Sequence, residues 1–61
     1  MLHVRDLILR YWDLNRRDRY ELMSSLDIEI VGDKEREALV EVAKQDRLLE
    51  FQSKLELMEE R

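Results

Sequence analysis

The stretch from Tyr20 to Ala43, YELMSSLDIEIVGDKEREALVEVA, decides the fold. Its first part places Arg19, Leu22, Met23 and Leu26 on one side of a helix with Tyr20 beside them, and Ser24 and Ser25 weaken that helix near its end. Ile28 and Ile30 then alternate with Asp27 and Glu29, a strand pattern, but a lone strand in a helical chain has no partner. The segment DIEIVG therefore reads as a connector that pins Ile28, and either Ile30 or Val31, into the core while Gly32 makes the turn. Asp33 is the expected cap of the next helix, Glu35 supports its first turn, and Leu39, Val42 and Ala43 point inward with Val40 to one side.

Upstream, Val4, Leu7, Ile8, Tyr11 and Leu14 recur at spacings of three and four, which predicts a helix over residues 2–13. Leu2 and Leu9 fall on roughly its opposite side, with Trp12 between the two faces. Asn15 is placed to cap the following helix, residues 16–26, and Asp18 lies near the positive end of its dipole. Downstream of Ala43 the apolar face changes side: at about 100° per residue, Leu48, Phe51 and Leu55 centre opposite Leu39, Val42 and Ala43. A break near residues 45–47 resolves this, with helices over 33–45 and 47–60 and Asp46 capping the second. The alternative is one long helix whose second face another chain covers.

The expected architecture is all-α: a compact bundle of about four short helices, no sheet, one domain spanning residues 1–61. Its expected core is Leu7, Tyr11, Leu22, Leu26, Leu39, Val42, Phe51 and Leu55. At this length only about 60% of the unfolded chain's surface is buried, so stability is marginal. Charged residues make up 43% and hydrophobic ones 44%, with one glycine and no proline, a balance that suits compact helical domains and coiled coils better than disorder.

Composition also narrows function. There is no cysteine, which removes a disulfide framework and a thiolate metal site and fits a reducing, cytoplasmic location. No apolar run exceeds three residues, as at Leu7–Leu9, far short of the roughly 20 residues that cross a bilayer, and no signal-peptide core follows the start. His3 is the only histidine and has no companion ligand, so no metal or other cofactor is expected. No glycine-rich phosphate loop exists, and four short helices leave little room for a catalytic pocket or a small-molecule substrate. A net charge of -4 and a pI near 4.9 would repel nucleic acid from most of the surface.

That charge is unevenly spread. Residues 1–20 hold five arginines against three aspartates, whereas residues 21–61 hold twelve acids against six bases. Arg10, Arg16, Arg17 and Arg19 gather near the corner between the first two helices, and Glu35, Glu37, Glu41, Glu56, Glu59 and Glu60 lie on the later ones. The candidate partner-binding residues are Leu9 and Trp12 as apolar anchors, with Arg10, Arg16, Arg17, Arg19, Glu37 and Glu41 as the charged contacts, joining one copy head-to-tail to another or to a related domain.

Two runs carry a family resemblance. LILRYWDLNRRDRYELMSSLDI (7–28) and GDKEREALVEVAKQDRLLEF (32–51) together resemble the small bacterial effector-associated and GTPase-associated adaptor domains, which belong to the death-domain-like helical bundles. The corresponding pieces are Leu14 with Tyr20, Leu22 and Leu26; Gly32 and Asp33; Leu39, Val42, Ala43 and Lys44; and Arg47, Leu48, Leu49 and Glu50. Asp46 stands where that pattern has glycine. The resemblance implies a death-domain-like bundle and a non-catalytic adaptor that recruits a matching domain in bacterial defence or signalling. A free-standing helical protein that works as an obligate homodimer, antitoxin-like or a phage-encoded regulator, is the alternative expectation.

Overall fold

Four helices follow one another in the computed structural model, which describes residues 3–61: α1 (Val4–Asp13), α2 (Arg16–Ser25), α3 (Glu35–Lys44) and α4 (Leu48–Glu59). No strand occurs among the described residues, and the expected all-α bundle is what the chain forms. Leu2, where the first helix was expected to begin, lies outside the described residues.

α4 is the helix around which the others gather. Phe51, Leu55 and Met58, at successive spacings of four and three, are buried along one face, and α1, α2 and α3 each pack against it. α1 contributes Leu7 and Tyr11, α2 contributes Leu22, Met23 and the cap residue Leu26, and α3 contributes Ala38 and Val42. The Cα trace is only 17 Å thick in its shortest direction. Helices pack about 8–10 Å apart, so this is two layers and a single thin core.

Each break between helices has a local cause. α1 ends where Leu14 turns extended, and Asn15 opens α2 as expected, its side-chain oxygen accepting a 2.8 Å hydrogen bond from the Asp18 amide. α2 and α3 end alike. Beyond α2, Asp27 adopts φ 59°, its amide donating to the Ser24 carbonyl and the Ile28 amide to the Met23 carbonyl, each at 3.0 Å. Beyond α3, Asp46 adopts φ 54°, its amide donating to Ala43 at 3.1 Å and the Arg47 amide to Val42 at 3.0 Å. Both are Schellman closures, and Ile28 is buried beside the first, the apolar contact that usually accompanies such an end.

Aspartate thus does at both sites what glycine usually does. An aspartate in the left-handed region carries strain that glycine lacks, so Asp46→Gly should stabilise the fold by about 0.5–1 kcal/mol despite its more flexible unfolded chain. Urea denaturation measures this, and a destabilised Asp46→Gly variant would show that the aspartate side chain does more than end the helix. Because the chain does turn here, α3 and α4 are separate helices and not one long one. Asp46 does not cap α4: its left-handed backbone ends α3, and Arg47 takes the cap position with no side-chain cap bond.

The connector behaves as read. Ile28 is buried, Ile30 packs on the core's edge, and Val31 is 62% exposed, so of the two open choices Ile30 is the residue that turns in. Gly32, at φ 61°, sits in a turn closed by the Lys34 amide on the Val31 carbonyl at 3.1 Å, and the Tyr20 hydroxyl donates to the Gly32 carbonyl.

α3 is rotated relative to expectation. Glu35, Ala38 and Val42 form its buried row, whereas Leu39 is half-buried and Ala43 exposed. The Glu35 carboxylate is bonded from the interior by two other helices and turns this row inward. α3 correspondingly starts at Glu35, preceded by Lys34 with no side-chain cap bond, and Asp33 does not cap it. Ala38 and Met58 are core residues that the apolar spacing does not single out, and Met23, on the same side as Leu22 and Leu26, joins the core although it is not among the expected core residues.

Candidate protein-docking groove

Two of the four arginines of the expected basic face, Arg10 and Arg19, are engaged inside the domain. Arg19 donates from Nε to Glu35 Oε2 at 2.8 Å, from Nη2 to Oε1 at 3.2 Å, and from Nη1 to the Leu14 carbonyl at 2.7 Å. The Tyr11 hydroxyl donates to the same Glu35 oxygen at 2.9 Å. One buried carboxylate thereby ties α1, α2 and α3 together, with Arg19 adding the α1–α2 turn, at the α3 end where the helix dipole favours negative charge. Burial pushes the Glu35 carboxyl up, but the hydrogen bonds from Arg19 and Tyr11 outweigh it and hold the pKa below the ordinary carboxylate value. Burial, followed by the neighbouring Glu35 carboxylate, drives the Tyr11 phenol well above its ordinary value.

Trp12 belongs to this network's cover. The Arg19 guanidinium lies 5.4 Å from its ring centroid, and its ring meets that of Tyr11 edge-on at 5.3 Å. Arg10 is also engaged, donating to Glu59 at 2.6 and 2.9 Å and to Asp6 at 3.3 Å, which fastens α1 to the end of α4. Arg61 does the same for α2 through Glu21 at 2.6 Å. Arg47 bonds the Leu26 carbonyl at the end of α2 and pairs with Glu50 at 2.8 Å.

Of the other candidate residues, Arg16 lies 5.3 Å from the centroid of the Tyr20 ring, and neither Arg16 nor Arg17 forms an ion pair among the described residues. Leu9 is 59% exposed and borders a shallow depression with His3, Arg5 and Asp6. Glu37 and Glu41 line an open trough with Asp27, Ile28 and Val31 that includes none of the four arginines. Trp12 and Arg19 are therefore brought together, and Glu37 with Glu41, but the eight do not form one surface.

A different feature stands out. Between α1, α3 and the start of α4 runs a cleft of about 180 Å³ whose floor is Leu7, Val42 and Phe51. Val4, Ile8, Leu39, Val40, Ala43 and Leu48 form its walls, so its lining is entirely apolar. Val4 remains 41% and Val40 54% exposed, on a chain that is 43% charged. Pockets for small ligands run to about 300–1,000 Å³, so this cleft suits an inserted side chain better than a metabolite. Spacing had assigned Ile8, Leu39 and Ala43 to inward stripes. The signal that they border a groove was surplus: more apolar positions flank the stripes than so thin a core can cover.

Unpaired bases stand near the groove's edge, although around Val40 they are interleaved with Glu37 and Glu41. Arg36 and Lys44 lie one turn before and one turn after Val40, Arg5 lies three residues before Ile8, and none of the three forms an ion pair among the described residues. Among the described residues there is no cluster of three or more histidine, cysteine or acidic side chains that could hold a metal, and no helix long and apolar enough to cross a membrane. No protein family, curated protein or solved structure matches the chain.

Proposed function

We propose that this domain is a non-catalytic protein-interaction module that binds its partner through the apolar groove between α1, α3 and α4. The observation that carries this reading is the groove itself: an apolar cleft left open at the surface of a small, highly charged domain, with exposed Val4 and Val40 at its edge. Its dimensions favour a protein side chain over a small molecule, and its lining offers no group for acid–base or nucleophilic chemistry. The resemblance of residues 7–28 and 32–51 to effector-associated and GTPase-associated adaptor domains supports the same reading, and extends it to recruitment of a matching domain in a bacterial defence or signalling system.

A photo-cross-linking amino acid placed at Val40, in cells that express the chain from its own locus, should yield a discrete protein adduct. The same group at Lys54, outside the groove, should not. No adduct from Val40, or equal adducts from both positions, would overturn the reading.

A further inference from the structure

We infer that the groove's occupant is a second copy of this chain, presenting the outer face of its α4. This rests on the groove being a protein-docking surface, and it is carried by a second unpartnered apolar feature whose flanking acids are opposite in sign to the bases Arg5, Arg36 and Lys44 near the groove's edge. Leu49 is 72% exposed and Leu57 58% exposed, and helical spacing puts Ser53, Glu56 and Glu60 on the same outward stripe of α4. Neither Glu56 nor Glu60 forms an ion pair among the described residues. The stripe is therefore leucine flanked by unpaired acids, and the groove is apolar with the unpaired bases Arg5, Arg36 and Lys44 near it.

Of the remaining bases, four are engaged within the domain. Arg10, Arg19, Arg47 and Arg61 already have internal partners. A leucine from the stripe fills the cleft, the long stems of Arg36 and Lys44 cover its flanks, and their charges face the partner's Glu56 and Glu60. Groove and stripe are different surfaces of one chain, so the contact is head-to-tail: each copy uses its groove on one neighbour and its stripe on the next, and the series closes as a ring or continues as a filament.

Complementing variants test this. Val40→Glu removes the groove and Leu57→Glu the stripe, and both positions are exposed, so both variants should melt like the parent. If Val40→Glu does not fold, Ala43→Glu at another exposed groove position replaces it, and Leu49→Glu likewise replaces Leu57→Glu. In sedimentation equilibrium the parent's mass should rise with concentration above its chain mass of 7.5 kDa, and added salt should lower it. Each variant alone should stay monomeric at every concentration, and an equimolar mixture should form a species of twice the chain mass and nothing larger, because only one intact groove and one intact stripe remain to pair. A monomeric parent, a mixture that stays monomeric, or either variant still assembling overturns the inference. A discrete heterologous adduct at Val40 together with a monomeric parent would do so while leaving the docking groove in place, whereas the absence of any Val40 adduct would remove the groove's role itself.

Discussion

Replacing Phe51 with alanine is expected to remove most of the domain's stability, about 3–5 kcal/mol. Phe51 is 1% exposed on the buried face of α4, with its ring 5.8 Å from that of Tyr11, and it forms part of the floor of the groove. A chain of this length has a total stability of roughly 3–9 kcal/mol at typical values per residue, so the loss is comparable with the whole. Thermal denaturation followed by helicity should show a midpoint lowered by at least about 12 °C or no cooperative transition at all. Leu39→Ala is a useful contrast. Its side chain is half-buried at the groove wall, so truncation should cost less than the same change at the fully buried Leu55. A Phe51→Ala variant melting within a few degrees of the parent would mean that α4 is not the helix holding the others.

The second large effect is expected at Glu35. Converting it to glutamine keeps its shape and leaves an acceptor for Tyr11, but it sets a neutral amide against the guanidinium of Arg19. Removing one partner of a buried pair typically costs 3–5 kcal/mol, and about 3 kcal/mol is expected here because the Arg19 side chain keeps 18% exposure. Pairing Glu35→Gln with Arg19→Met removes the stranded charge, so the double variant should be more stable than the sum of the single losses predicts, by at least about 1 kcal/mol. Strict additivity would show that the two groups do not act as a unit.

The same pair sets a pH dependence. The Glu35 pKa is lower in the folded protein than in the unfolded chain, so between the two values the unfolded state binds more protons. Its stabilisation is complete above about pH 4.3, the unfolded value, and is lost as pH falls through the folded one. Tyr11 works in the opposite sense. Its folded pKa is raised, so its contribution is complete below about pH 10 and is lost as pH rises further. Urea midpoints measured from neutral to acidic pH should fall steeply in the parent and less steeply in the Glu35→Gln variant.

The helices were legible in the residues because local signals agreed with global packing. Leu7 with Tyr11, Leu22 with Leu26, and Phe51 with Leu55 each sit four apart and are buried together, and Asn15 caps α2 in the manner its position implied. The change of apolar side between Val42 and Leu48 forecast the break between α3 and α4 although neither glycine nor proline marks it. Legibility stopped where long polar side chains choose partners. Nothing in the spacing of Arg19 and Glu35, sixteen residues apart, or of Arg10 and Glu59, forty-nine apart, shows that they meet, yet the first contact holds the Glu35 row of α3 inward and the two together engage two of the four clustered arginines within the domain. The groove was hidden for a related reason. By spacing Ala43 belongs to the buried face and Val40 to its margin, and the rotation of α3 toward Glu35 leaves both open.

A direct comparison of Val40→Glu with the Arg16→Glu, Arg17→Glu double variant tests where this domain binds. All three positions are exposed, and both proteins should melt as the parent does. Their affinity for the protein that cross-links at Val40, measured by titration calorimetry at a fixed salt concentration, separates the two candidate faces. Binding should be abolished by Val40→Glu and should change no more than about twofold, some 0.4 kcal/mol, in the arginine variant. Retained binding in Val40→Glu with loss in the arginine variant would contradict the groove and return the contact to the corner between α1 and α2.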